Sequence, residues 1–153
     1  MIGRIAPGRA AASLCALALV TAAGAAPLLD APAELLDPEK AFRISARPLG
    51  GQSVEVEFRI ADGYYLYRNR FLFAAESGEA LAEVEIPRGR PEQDPFFGKT
   101  ETFRDLVRIR VVVSPKDAAR GSVTLKVTSQ GCADAKVCYA PLEQIVKVRL
   151  RSP

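Results

Sequence analysis

The strongest constraint on the fold is a period of two in the apolar residues, repeated along the chain. Val54, Val56, Phe58 and Ile60 fall on one face, while Glu55, Glu57 and Arg59 fall on the other. Val107, Ile109, Val111 and Val113 alternate with Arg108 and Arg110. Val123, Leu125 and Val127 alternate with Thr124, Lys126 and Thr128, and Val146, Val148 and Leu150 with Lys147 and Arg149. Successive side chains of a strand point to opposite faces, so the pattern is that of half-buried β-strands. Tyr64–Tyr67 and Phe71–Ala74 read as shorter strands, and Val84 and Ile86 continue the series. Asp62-Gly63, Pro115 and Arg120-Gly121 supply the breaks. No long stretch has a helical period. Many short strands separated by turns predict an all-β, antiparallel β-sandwich.

Composition agrees and narrows the chemistry. The chain has 153 residues, 48% hydrophobic and 25% charged, which suits a packed globule rather than a disordered chain. Lys plus Arg is 21 against 18 for Asp plus Glu, too balanced for a nucleic-acid binder that relies on a basic footprint. There is no histidine, which removes Ser-His-Asp, Cys-His and His-ligated metal chemistry together.

The first segment reads as an address. Arg4 and Arg9 precede an uncharged run from Ala10 to Leu29 with an apolar centre at Leu14–Val20, and Ala23-Gly24-Ala25 offers the small residues of a cleavage site. A basic region, an apolar region and an A-x-A site in that order predict a signal peptide over residues 1–25. The alternative is an uncleaved membrane anchor, since the run is just long enough to span. Ala, Gly, Ser and Pro dilute it, which favours cleavage near Ala25 and export. A lipoprotein is disfavoured because Leu14 precedes Cys15 and Cys15 lies inside the apolar run. Residues 26–40 form a lead-in rich in Pro, Ala and acid, with a helical turn expected at Ala33–Leu36, and residues 41–153 form the folded domain.

Cleavage removes Cys15 and leaves Cys132 and Cys138, an even pair in an oxidising compartment, where a disulfide is expected. Five residues separate them, so the bond closes a small local ring. The chain-entropy model gives such a ring roughly 2 kcal/mol, the low end for disulfides. Two readings stay open: a passive staple, or a bond that opens and closes. Two thiolates plus Asp134 fall short of a zinc site, and no metal is expected. Redox exchange needs a reachable sulfur and a stabilised leaving thiol. Asp134 inside the ring and Asp94 upstream can handle protons, and Lys136 can favour a thiolate. Tyr65 and Tyr67, two apart, place both phenols on one strand face. Pro87–Thr100 reads as a Pro- and Gly-rich loop ending in Asp94-Pro95-Phe96-Phe97-Gly98. Its adjacent aromatics, Phe96 and Phe97, either plug the core edge or form with Asp94 a shielding cap, Phe96 being the leading lid residue.

Three segments, Asp62-Gly63-Tyr64-Tyr65-Leu66-Tyr67-Arg68, Phe96-Phe97-Gly98-Lys99-Thr100-Glu101, and Gln130-Gly131-Cys132-Ala133-Asp134 through Cys138-Tyr139 and Pro141, together resemble the N-terminal periplasmic domain of the DsbD thiol:disulfide interchange family. The resemblance runs from about Leu36 to Leu150. It implies an immunoglobulin-like sandwich with a redox-active cysteine hairpin under a cap loop, located in the periplasm, needing no cofactor. It implies electron flow from a thioredoxin-like or membrane reductase to thioredoxin-fold partners such as disulfide isomerases. Cys132 and Cys138 take the redox roles, with Cys138 forming the mixed disulfide. Phe96 takes the cap aromatic, Tyr65 and Tyr67 the flanking tyrosines, and Asp94 the cap-loop acid. Pro95 stands where that family often has a second acid. The membrane and thioredoxin-like segments of the family do not follow Pro153, so the expectation is a free-standing copy fed by a separate reductase, or one with another redox or binding role. The rival reading is a non-enzymatic module that binds a secreted protein through Pro87–Thr100. Membrane contact is expected only through an uncleaved signal or a membrane-bound reductase.

Overall fold

The computed structural model describes residues 34–134 and 137–150. The expected signal segment, its cleavage site, Cys15 and Lys136 lie outside the described residues.

The first described element is not where it was expected. Glu34–Asp37 is not helical, and a single helical turn, α1 (Pro38–Ala41), follows it. The reason is local. Pro38 takes the opening of the helix, where its missing N–H is not needed, and Asp37 before it is held extended at ψ 142°.

Among the described residues the chain then forms twelve strands: β1 (Phe42–Gly50), β2 (Ser53–Ile60), β3 (Tyr64–Tyr67), β4 (Leu72–Ala75), β5 (Glu83–Glu85), β6 (Arg90–Asp94), β7 (Gly98–Phe103), β8 (Leu106–Val112), β9 (Ser122–Ser129), β10 (Gly131–Ala133), β11 (Val137–Cys138) and β12 (Leu142–Arg149). They form three antiparallel sheets, ordered β1-β2-β8-β5, β12-β9-β4 and β11-β10-β3-β7-β6. The apolar faces meet in one core that includes Val56 and Phe58 of β2, Ile109 and Val111 of β8, Leu125 and Val127 of β9, and Leu66 of β3. This is the antiparallel, immunoglobulin-like sandwich that the alternation and the resemblance predict. Burying each such side chain stabilises by about 1.5–3 kcal/mol, so the core outweighs anything a small disulfide ring contributes. The polar positions of the same strands face water as cross-strand ion pairs: Arg47 with Glu55 at 2.8 Å and Arg108 with Glu57 at 2.9 Å.

Two departures from the sequence reading concern connections. Pro115 does end its strand, but it also opens a short helix, α2 (Pro115–Ala119), capped by the Ser114 hydroxyl, which accepts the Asp117 N–H at 3.1 Å. The segment Pro87–Thr100 is largely not a loop. Its greater part is the β6–β7 hairpin, in register from Arg90↔Thr102 to Asp94↔Gly98, and only residues 95–97 turn. β6 lies at the sheet edge, where Pro91 has no second neighbour to which it must donate.

Candidate functional site

β3 organises the site because all four of its residues are buried, on two different faces. Tyr64 and Leu66 enter the main core, while Tyr65 and Tyr67 form a second cluster with Cys132, against which Phe97 and Cys138 pack. β10 lies directly beside β3, with Cys132 opposite Tyr65 and Gly131 opposite Leu66. The approach at Gly131 is too close for a side chain. A Cβ there would overlap the Tyr65 carbonyl oxygen and come within 2.7 Å of the Phe42 ring.

Cys132 and Cys138 face one another across β10–β11, their Cα atoms 4.0 Å apart, and are joined in a disulfide. The two sulfurs are not equivalent. Cys132 is fully buried, whereas Cys138 is half-buried on the two-residue edge strand. The Tyr67 hydroxyl lies 3.1 Å from Cys132 Sγ and 3.9 Å from Cys138 Sγ. It donates to Asp94 Oδ2 at 2.7 Å, and Tyr65 donates to the same oxygen at 3.2 Å. The other carboxylate oxygen, Oδ1, accepts the backbone N–H groups of Phe96 (2.7 Å) and Phe97 (2.9 Å). One carboxylate thus ties the β6–β7 turn to the hydroxyl that touches the buried sulfur.

The electrostatics follow from this wiring. Burial alone would push the Asp94 carboxyl up, but the hydrogen bonds from Tyr67, Phe96, Phe97 and Tyr65 outweigh it and hold the group below the usual carboxylate range. Burial, then the contacts with Tyr65 and Asp94, pushes Tyr67 far above the ordinary phenol range. Burial also raises Tyr65, opposed by its contact with Tyr67 and reinforced by the Asp94 charge. At neutral pH Asp94 is therefore a fixed anion and both phenols are neutral. In this disulfide-bonded state Asp94 accepts four hydrogen bonds and anchors the turn.

Other expected residues are placed differently from the sequence reading. Of the two aromatics read as shielding, Phe96, the one expected to lead, is 57% exposed, whereas Phe97 packs on Tyr67, ring centroids 4.8 Å apart. The turn accounts for this: the two residues follow Asp94 in sequence, and only one ring can face inward. Asp134, read as a proton handler, forms a two-pronged ion pair with Arg104, at 2.8 and 3.1 Å. Two arginines were not singled out from sequence. The Arg104 guanidinium lies 5.0 Å from the Tyr65 ring and that of Arg70 4.3 Å from the Phe97 ring. Nothing in the period marks them, because neither lies on an alternating strand face.

A cross-strand disulfide with one sulfur buried beside a tyrosine–carboxylate cluster, on a small antiparallel sandwich, defines a thiol–disulfide domain. Residues 32–150 match the family described as thiol:disulfide interchange protein DsbD, N-terminal, and the chain belongs to that family. It is 45% identical over 117 residues to the DsbD of Ralstonia nicotianae, a match covering 75% of this chain and 19% of that protein. It is 35% identical over 116 residues to that of Escherichia coli K12, covering 74% of this chain and 20% of that protein. The chain therefore spans about a fifth of the length of these relatives. Among solved structures it resembles the reduced DsbD N-terminal domain of Neisseria meningitidis, with a TM-score of 0.66, 30% identity, 75% of this chain and 90% of that one covered. It also resembles the same organism's DsbD domain in a complex with a PilB N-terminal domain, with a TM-score of 0.63, 31% identity, and coverage of 74% and 87%.

Proposed function

We propose that the domain carries two electrons at a time through Cys132 and Cys138, from a thioredoxin-like or membrane reductase to thioredoxin-fold acceptors such as disulfide isomerases. The observation that carries this reading is the inequality of the two sulfurs: one sealed beneath Tyr67, the other half-exposed on an edge strand.

The geometry suggests the order of events. A donor thiolate attacks Cys138 Sγ, the accessible atom. The S–S bond breaks and Cys132 departs with the electron pair. Tyr67 has one hydroxyl proton, and its two nearest acceptors are Asp94 at 2.7 Å and Cys132 at 3.1 Å. In the disulfide state the carboxylate holds it; a departing thiolate competes for it, and that competition supports the leaving group. The second donor thiol then attacks the mixed disulfide, leaving the donor oxidised and this pair reduced, with protons drawn from solvent. Passing the electrons onward reverses the steps: the Cys138 thiolate attacks the acceptor disulfide, and Cys132 resolves the mixed disulfide. Both electrons travel in sulfur bonds, so no cofactor enters. The solved complex of a related domain with a PilB N-terminal domain supports a protein partner. Residues 1–25 would direct export, placing residues 41–153 in the periplasm as the working domain.

The test has two parts. Titration against glutathione should give a potential within the range of redox proteins; a value well below about −300 mV would class the bond as an inert bridge. Cys132→Ser leaves Cys138 unpaired and should trap a thioredoxin-fold protein covalently. Binding without any mixed disulfide would support the rival reading of a passive module.

A further inference from the structure

We infer that Arg70 is a positioning residue that latches the β6–β7 turn over the cysteine pair, by holding the Phe97 ring beneath its guanidinium. The inference rests on the exchange reading above only for its consequence, not for its geometry.

Arg70 closes the 3-10 turn Arg68–Arg70 that leaves β3, so its backbone is continuous with the strand carrying Tyr65 and Tyr67. Its neighbour Arg68 is tied elsewhere, donating to the carbonyls of Ile86 and Pro87 and pairing with Glu101 at 3.2 Å. Arg70 instead reaches across to the tip of the other hairpin, its guanidinium carbon 4.3 Å from the Phe97 centroid. At that distance a guanidinium is attracted by the ring's negative face. The same ring packs edge-on against Tyr67, at 80° between planes. Phe97 thus contacts a cation and the phenol that touches the buried sulfur. The turn is held by two devices: from inside by Asp94, which takes the Phe96 and Phe97 N–H groups, and from outside by Arg70.

The inner device centres on Asp94, whose side chain is buried. The outer one is exposed, so it is the weaker clasp and the one that a small change can tune. It should set how often the turn lifts, and hence how fast a reagent meets the sulfurs. It should leave the equilibrium between dithiol and disulfide alone, because Arg70 contacts the Phe97 ring that packs on Tyr67 and not the sulfurs themselves.

Arg70→Gln keeps the length of the side chain and removes the cation; Arg70→Lys keeps a cation. Two rates are measured on the full chain: amide exchange at Phe97 by NMR, and reduction of the disulfide by dithiothreitol. Arg70→Gln should raise both by roughly 2- to 5-fold, the range that an exposed cation–π contact supplies. Arg70→Lys should restore most of each rate, and the midpoint potential should not move. In a Phe97→Leu background Arg70→Gln should add no further acceleration. Wild-type values of both rates in Arg70→Gln, or full multiplication of the two effects in the double variant, would overturn the latch. Faster reduction with unchanged Phe97 exchange would also overturn it, since the gain would then not come from the turn lifting. If Phe97 exchange rises while no variant's disulfide can be reduced, the latch stands and the proposed exchange function fails.

Discussion

Removing one oxygen from the site, as Tyr67→Phe, tests the wiring of the carboxylate. In the wild type Tyr67 donates to Asp94 at 2.7 Å, the shorter of the two phenol bonds that the carboxylate receives. The variant keeps the ring, its packing on Phe97 and its place in β3, so the loss is one hydrogen bond to a buried anion. Such bonds are worth about 1.5–3 kcal/mol. Tyr65, at 3.2 Å, still reaches the same oxygen, so the carboxylate is weakened but not orphaned. A domain of this size shifts its melting temperature by roughly 4 °C per kcal/mol, which predicts a fall of roughly 6–12 °C at pH 7. The pH dependence has a definite sign. A carboxyl held below its ordinary value of 3.8 contributes stability above that pH and loses it as pH falls through the depressed value. Tyr67→Phe removes part of the depression, so the gap between variant and wild type should close on acidification. Thermal unfolding followed by circular dichroism, across the acid range and at neutrality, reads both quantities. A variant as stable as the wild type at pH 7, or a gap that does not narrow on acidification, would refute the assignment of Asp94 as an ionised anchor.

Three further outcomes are expected. Gly131→Ala forces a methyl group into the Tyr65 carbonyl and the Phe42 ring, and should cost about 1–3 kcal/mol or more by overpacking, seen as a lowered midpoint in urea. Phe97→Ala should speed alkylation of the reduced pair several-fold, while Phe96→Ala, which removes an exposed ring, should leave the rate within about twofold; equal effects would show that the rings exchange places. Arg104→Ala should change global stability by no more than about 1 kcal/mol, because its ion pair with Asp134 is largely solvated, yet amide exchange in the β10–β11 hairpin should rise.

The parts of this molecule written in a two-residue period were readable in advance. Val54–Ile60, Val107–Val113 and Val123–Val127 follow their pattern into strands because one face must leave water and the other need not. The cysteine pair and the two phenols were equally legible, since a short spacing limits where their side chains can point. The errors fall where tertiary contacts choose between local options. Pro91 and Gly98 suggest a loop, yet an edge position and a turn accept both, and a hairpin results. Phe96 and Phe97 are adjacent and chemically alike, and only the placement of the turn decides which one faces Tyr67. Asp134 has the right chemistry for proton handling, but a guanidinium thirty residues upstream claims it.

The division of labour within β3 has a consequence for how such a domain can change over time. Its odd-numbered side chains cluster with Cys132 and its even-numbered ones enter the main core, so a change at 65 or 67 leaves the packing of the main core alone. A four-residue ribbon separates two sets of selective demands. Descendants of this sequence that vary positions 65 and 67 would give up bonds to Asp94 while Tyr64 and Leu66 continue to hold the sandwich together.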